Sequence, residues 1–212
     1  MFRPAVGERL NALTHALGFL LSLVGSAVLM MQVVTHNDVW RNLGCGLYTF
    51  ALVGVYANST LSHSATIPRW KRMFRRLDQA FIYLLIVGSY TPFAVTHLRS
   101  AFWMGFLVFL WSIAVLGFLS KVMMAHRVDA VAVWIYVTLG WLPILSAAAM
   151  LERVPAEELS WLLAGGLCYT VGTLFLMNDE RVVHFHGAWH LCVIAGSACH
   201  FYAIWRVVAL SA

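Results

Sequence analysis

Charge is what this chain has least of. Only 11% of its 212 residues are Asp, Glu, Lys or Arg, against roughly 25% in a soluble domain. Hydrophobic residues make up 61%, and mean hydropathy is +0.79. This excludes a water-soluble globular domain and points to an integral membrane protein. Cysteine is also scarce. Cys45, Cys168, Cys192 and Cys199 each sit inside an apolar run, and none forms a Cys-x-x-Cys pair. That leaves no disulfide framework and no thiolate zinc site; the four read as small buried hydrophobes. Internal repeats, low-complexity tracts and a separate soluble segment are absent as well, so residues 1–212 read as a single transmembrane domain. None of the nine acidic residues lies mid-span, which argues against a wide aqueous pore.

The apolar residues that remain fall into long runs. A bilayer core needs about 20 mostly apolar residues per helix. Seven stretches meet this, at 11–35, 40–63, 78–97, 102–120, 130–150, 159–177 and 187–209. The expected fold is therefore an all-α, seven-transmembrane helix bundle with short loops and antiparallel neighbours. Pro92 and Pro143 fall inside spans and are expected to kink them. The first run, from Leu10 to Val34, is too long for a signal-peptide core and reads as a retained helix. Ten of the fourteen Lys and Arg lie on the side that holds the N-terminus and the second, fourth and sixth loops. That bias predicts a cytoplasmic N-terminus and an outside C-terminus. The net charge of +5 suits anionic lipid head groups better than nucleic acid, since the basic residues flank apolar runs. The segment 69–76 mixes five of them with Trp70 and Phe74; it reads either as an anionic-lipid contact or as topology charges alone.

Polar residues then stand out by where the topology puts them. Val-His-Phe-His-Gly-Ala-Trp-His at 183–190 opens the last span. His186 and His190, four apart, share one helix face and can offer two imidazoles to one metal ion. Span 2 ends inside with Ser59 and His63, span 3 begins inside at Asp78, and span 1 begins inside with Glu8, Asn11, Thr14 and His15. Four helix ends thus bring ionisable groups to one cytoplasmic depth. His63, His186 and His190 are the expected metal ligands. Three imidazoles with one open position suit catalytic zinc, although copper, iron and nickel also accept imidazole. Asp78 is placed to act as general base or to hold an imidazole N–H. Ser59, one turn before His63, is placed to orient that ring or to meet a substrate carbonyl. His200 lies too far along the last span for the same metal, about 21 Å from His186 at 1.5 Å per residue; with Ser197 it reads as lining the bundle interior. His36, His97, His126 and His184 carry no expected site role.

Glu8-x-x-Asn11-x-x-x-His15, Ser59-x-x-x-His63, Asp78 at the head of span 3 and His186-x-x-x-His190 together resemble the hemolysin III branch of the progestin and adiponectin receptor (PAQR) family. The resemblance runs over nearly the whole chain. It implies a seven-helix fold with zinc on His63, His186 and His190, Asp78 and Ser59 beside the metal, and Glu8, Asn11 and His15 in support. That family is associated, through its relation to alkaline ceramidases, with zinc-dependent hydrolysis of lipid amides. Its bacterial branch is named for cytolytic activity and linked to membrane homeostasis. The chain does not show the long N-terminal domain of the eukaryotic receptors, so a minimal bacterial-type member of the inner (plasma) membrane is expected.

Three functions follow as alternatives. The first is an intramembrane zinc hydrolase acting on the amide or ester of a membrane lipid such as a ceramide-like substrate. The second is a non-catalytic sensor or regulator in which zinc ties spans 2 and 7 together. The third is a cytolysin or pore-forming protein, which the missing mid-span charge disfavours.

Overall fold

A computed structural model describes residues 5–124, 129–179, 181–182 and 184–209 of the chain. Every regular element among them is helical. Helix α1 runs Ala5–Val33, α2 Val39–Ser64, α3 Pro68–His97 and α4 Ala101–Met124. Then come α5 (Asp129–Trp141), a 3₁₀ segment (Leu142–Ser146) and the short α6 (Ala147–Leu151), which together make one broken span. Helix α7 covers Ala156–Met177, and α8 covers Phe185–Ile204 and ends in a π turn at Trp205–Ala209. Six of these stretches are long and apolar enough to cross a membrane. Helix α2 is 26 residues long but falls outside that set. Asn58, Ser59, Thr60, Ser62 and His63 crowd its last turns and dilute its apolarity.

The helix ends follow from local chemistry. Asn37 takes a left-handed conformation (φ 52°), which its short polar side chain tolerates better than most. Asp38 then caps α2, its carboxylate accepting from the backbone N–H of Trp40 at 3.0 Å and of Arg41 at 3.2 Å. Pro68 opens α3 at a position where its missing N–H costs nothing. The basic stretch after it is thus the first two turns of α3 rather than the loop that hydropathy predicts. Trp70 stacks on Phe74, one turn on, with ring centroids 6.2 Å apart. The two prolines behave differently. Pro143 breaks its span into the 3₁₀ segment, as expected of a residue that removes an intrahelical bond. Pro92 lies buried inside a continuous α3.

Helix α3 is the most enclosed of the spans, packed against α2 on one side and α4 on the other. Small residues bring helices close, as in other membrane bundles. A Cβ added at Gly54 of α2 would lie 2.1 Å from the Phe81 ring of α3. One added at Gly165 of α7 would lie 2.2 Å from the His200 ring and 3.0 Å from the Gly196 carbonyl of α8. Some polar residues inside the bundle satisfy one another across helices. The Tyr56 hydroxyl of α2 donates to Ser197 of α8 at 2.9 Å, and Tyr169 of α7 meets the same oxygen at 2.8 Å. Opposite the site described next, Asp38 pairs with Arg99 across two turns.

Candidate metal centre

The end of α2 and the start of α8 build the centre. The last turn of α2 presents His63, and the first turns of α8 present His186 and His190. The three ligand nitrogens lie within 4.8 Å of one another. His190 is buried, His63 and His186 half-buried. The Nε2 atoms of His63 and His186 are 3.4 Å apart. Two nitrogens at about 2.0–2.1 Å from a tetrahedral zinc are separated by about 3.4 Å, so this spacing fits a shared ion.

The outer faces of two rings determine their tautomers. His186 Nδ1 lies 2.6 Å from Asp179 Oδ2. The carboxylate accepts, so Nδ1 carries the proton and the His186 Nε2 lone pair turns toward His63. Thr14 Oγ1 donates to the Asn11 carbonyl at 2.9 Å. Its oxygen is then free to accept from His190 Nδ1 at 3.4 Å, and Nε2 of His190 is left as a lone pair as well. Ligating histidines commonly have the other ring N–H held by a carboxylate or another acceptor. Two imidazoles with their outer ring nitrogens engaged, plus a third at tetrahedral spacing, form a set that could hold a metal ion such as zinc.

Ser59 is buried and hydrogen-bonds the Asp78 carboxyl, which also feels Arg75 one turn earlier on α3. Asp78 and Ser59 line the same cavity as the three histidines. Of the expected supporting residues, Asn11 is buried and its side chain faces the backbone at Gly187. His15 is buried, with its ring 3.8 Å from the His190 ring between centroids, 6.3 Å from His63 and 5.6 Å from Tyr56. Neither nitrogen of His15 has a hydrogen-bond partner. The Glu8 side chain lies outside the described residues, as does His126.

The remaining histidines stay out of the cluster. His200 contacts the Leu162 carbonyl at 3.1 Å, deep between α7 and α8. His36 and His97 sit at the far end of the bundle, and His184 is exposed just before α8. Asp179 is a site residue that sequence reasoning passes over. It lies in the turn before α8, seven residues ahead of His186, where an acid reads as a loop residue. Thr14 is legible only as one polar residue near a helix start.

The centre opens into a cavity of about 2240 Å³ running between α3, α5, α7 and α8. Its walls pass from Lys71, Arg75 and Lys121 near the histidines to apolar residues such as Ile82, Ile86 and Met150 farther in. Tyr90 and Ser146, hydrogen-bonded at 3.0 Å, stand at its deep end. The arrangement combines a histidine triad that could hold a metal ion, a carboxyl group and a largely apolar cavity.

A family model described as haemolysin-III related matches residues 5–201. The chain belongs to the haemolysin-III-related family. Hemolysin-3 of Bacillus cereus is 33% identical over 197 residues, covering 93% of this chain and 90% of that protein. The Hemolysin-3 homolog of Bacillus subtilis (strain 168) is 31% identical, with coverage of 93% and 92%. The human monocyte to macrophage differentiation factor is 28% identical over 222 residues, covering 97% and 86%. These relatives place the haemolysin-III-related chain in the hemolysin III branch of the PAQR family, the branch its motifs resemble. No solved structure matches it. Family membership and apolar helices together make this haemolysin-III-related chain an integral membrane protein.

Proposed function

We propose that this haemolysin-III-related protein is a zinc-dependent hydrolase of a lipid amide or ester in a bacterial inner (plasma) membrane. In this reading all seven spans cross the bilayer, with the N-terminus cytoplasmic and the C-terminus outside. The carrying observation is the convergence of His63, His186 and His190 at zinc spacing, with Asp179 and Thr14 holding the outer ring nitrogens. A zinc ion held there would polarise a carbonyl and lower the pKa of water toward about 7.

The chain's own residues supply the rest. Asp78, kept in place by the Ser59 hydroxyl, takes the proton of the attacking water. It returns that proton to the departing amine or alcohol as the C–N or C–O bond breaks, leaving a fatty acid. The apolar cavity wall holds the acyl chain and fixes the carbonyl against the histidines. Membrane lipids, ceramide-like ones among them, are the substrates this predicts. The basic turns at 69–76 meet anionic head groups at the cytoplasmic surface.

A second reading has its own observation. The unpartnered, buried His15 ring beside His190 would close the site if it became a fourth ligand, and four protein ligands mark structural zinc. The protein would then be a non-catalytic membrane sensor or regulator. Its nitrogens fall outside the group that lies within 4.8 Å, which favours three ligands and the enzymatic reading. The Bacillus cereus relative is named a hemolysin; the scarcity of interior charge disfavours a conducting pore here.

The test is metal content and turnover on the same preparation. The purified protein should carry about one zinc per chain and release fatty acid from an amide- or ester-linked lipid panel. The His63→Ala/His190→Ala variant should lose both. Equal metal content in wild type and variant, or a loaded protein inert on the panel, removes the hydrolase reading.

A further inference from the structure

One face of α8 stays polar well past the centre. His190, Ser197 and His200 follow one another along it at helical spacing, with Val193 between the first two. From His190 to His200 is ten residues, about 15 Å of helix. Tyr56 of α2 and Tyr169 of α7 meet at the Ser197 oxygen of this face, at 2.9 and 2.8 Å. Toward the centre, the Tyr56 ring lies 5.6 Å from the His15 ring. Away from it, Tyr169 lies against His200, with ring centroids 5.4 Å apart. His200 Nε2 donates to the Leu162 carbonyl of α7 at 3.1 Å, which leaves Nδ1 as the basic nitrogen. One turn before Leu162 stands Glu158, which is 6% exposed and accepts from Arg206 at 3.1 Å, at the end of the bundle away from the histidines.

Helix association accounts for the hydroxyls that meet on Ser197. It does not account for three polar atoms in the same stretch that join nothing. Glu158 Oε2, His200 Nδ1 and the Tyr48 hydroxyl are buried and have no hydrogen-bond partner among the described residues. Tyr48 stands two turns before Tyr56 on α2, within electrostatic reach of Tyr56 and Tyr169. Enclosed polar atoms without partners are costly, and ionisable side chains inside a membrane bundle mark ion paths and proton relays. The space singles out the proton. A Cβ added at Gly165 would lie 2.2 Å from the His200 ring, and one added at Gly196 3.0 Å from the Tyr169 ring. A hydrated ion does not fit where a methyl group does not. Tyr169, His200 and His15 all line the cavity that opens at the centre, so the column has an exit there.

We propose that Glu158, His200, Tyr169, Ser197 and Tyr56 form a proton path from the far end of the bundle to the cavity, and that the protein passes protons across the membrane along it. A proton taken up by the Glu158 carboxylate moves to His200 Nδ1 and makes that ring an imidazolium. It then leaves for the hydroxyl column, where each oxygen accepts one proton as it gives up another. Water bridges the steps that are longer than a hydrogen bond. Only O–H and N–H bonds form and break, and one positive charge crosses with each proton. The path is independent of the hydrolase reading.

The experiment uses the full-length protein in vesicles of ether-linked phosphatidylcholine. These offer no amide or carboxylic ester, so no released fatty acid carries protons. A potassium gradient with valinomycin sets the membrane potential, and trapped pyranine reads the internal pH. Wild type should pass protons at least fivefold faster than protein-free vesicles. His200→Phe and Glu158→Gln should each lower that excess at least fivefold, and Tyr56→Phe/Tyr169→Phe at least threefold. Should His200→Phe fail to fold, the tyrosine pair carries the test, since it loses two oxygen atoms and no ring. Tyr90→Phe is the control: its hydroxyl is also buried on the cavity wall but bonds Ser146 rather than the column, and it should keep the wild-type rate. No excess in wild type, or an equal loss in the control, overturns the path. Sodium entry into the same vesicles should match protein-free vesicles; sodium crossing as fast as protons makes the route a pore and overturns the proton assignment. A protein that hydrolyses lipid but passes no protons overturns the path and leaves the hydrolase reading standing. One that passes protons but hydrolyses nothing does the reverse.

Discussion

His15 is the residue on which the nature of the centre turns. It is enclosed, edge-on to His190, and has no hydrogen-bond partner on either nitrogen. Buried polar atoms without partners are uncommon and call for a reason. If it only shapes the pocket, His15→Ala should leave zinc content unchanged and reduce turnover through loosened packing. If it is a fourth ligand, the same variant should lose zinc; metal analysis separates the two. Asp179 makes a different kind of contribution. It touches no substrate in this reading and acts through His186, whose Nδ1 it holds at 2.6 Å. Loss of such an outer partner typically lowers metal affinity by about 10–100-fold. Asp179→Ala should show that drop in a competitive chelator titration, with Asp179→Asn partly restoring affinity because its amide oxygen can still accept from Nδ1. No change in zinc affinity for either variant would show that the contact does not tune the centre.

Individual helices owe their ends to local signals and their depth to packing. The Asp38–Arg99 pair ties the turn before α2 to the turn after α3, at the end away from the histidines. The Arg99 guanidinium holds the Asp38 carboxyl below its ordinary range, backed by the backbone N–H groups of Arg41 and Trp40. A depressed carboxylate pKa stabilises the fold above the ordinary value of about 4 and loses that stabilisation as pH falls through the lowered one. Arg99→Ala should therefore lower Tm at neutral pH, and the difference from wild type should shrink in acid; a gap that is independent of pH would mean that the pair contributes only shape. Helix α2 shows why hydropathy undercounts such proteins. Its polar last turns are the ones that carry Ser59 and His63, so the feature that serves the site also lowers its apolarity. The extension of α3 through Pro68–Arg76 was hidden for the converse reason: five positive charges look like a loop until the proline start and the Trp70–Phe74 stack hold them in helical register.

At the scale of the whole molecule, the centre is a clasp between the first and last parts of the chain. Zinc on His63, His186 and His190 would join α2 to α8, backed by α1 through Thr14. A ligand present at about 1,000 times its Kd adds about 4 kcal/mol to the stability of the form that binds it. Chelation should then lower the Tm of the detergent-solubilised protein by several degrees, and zinc should restore it. The His63→Ala/His190→Ala variant should not respond to either treatment; a response equal to wild type would place the metal elsewhere. Much of this was legible beforehand. Membrane class, the helical fold and the three histidines follow from composition, periodicity and spacing, because a bilayer imposes apolar runs of fixed length and leaves polar residues conspicuous, and the family follows from the resemblance of the motifs. The tertiary structure alone decided that Ser59 serves Asp78, that Asp179 and Thr14 orient the imidazoles, and that Lys121 turns inward beside Gln79. Those are contacts between residues distant in the chain, set by the angles at which helices pack, and no local pattern encodes them.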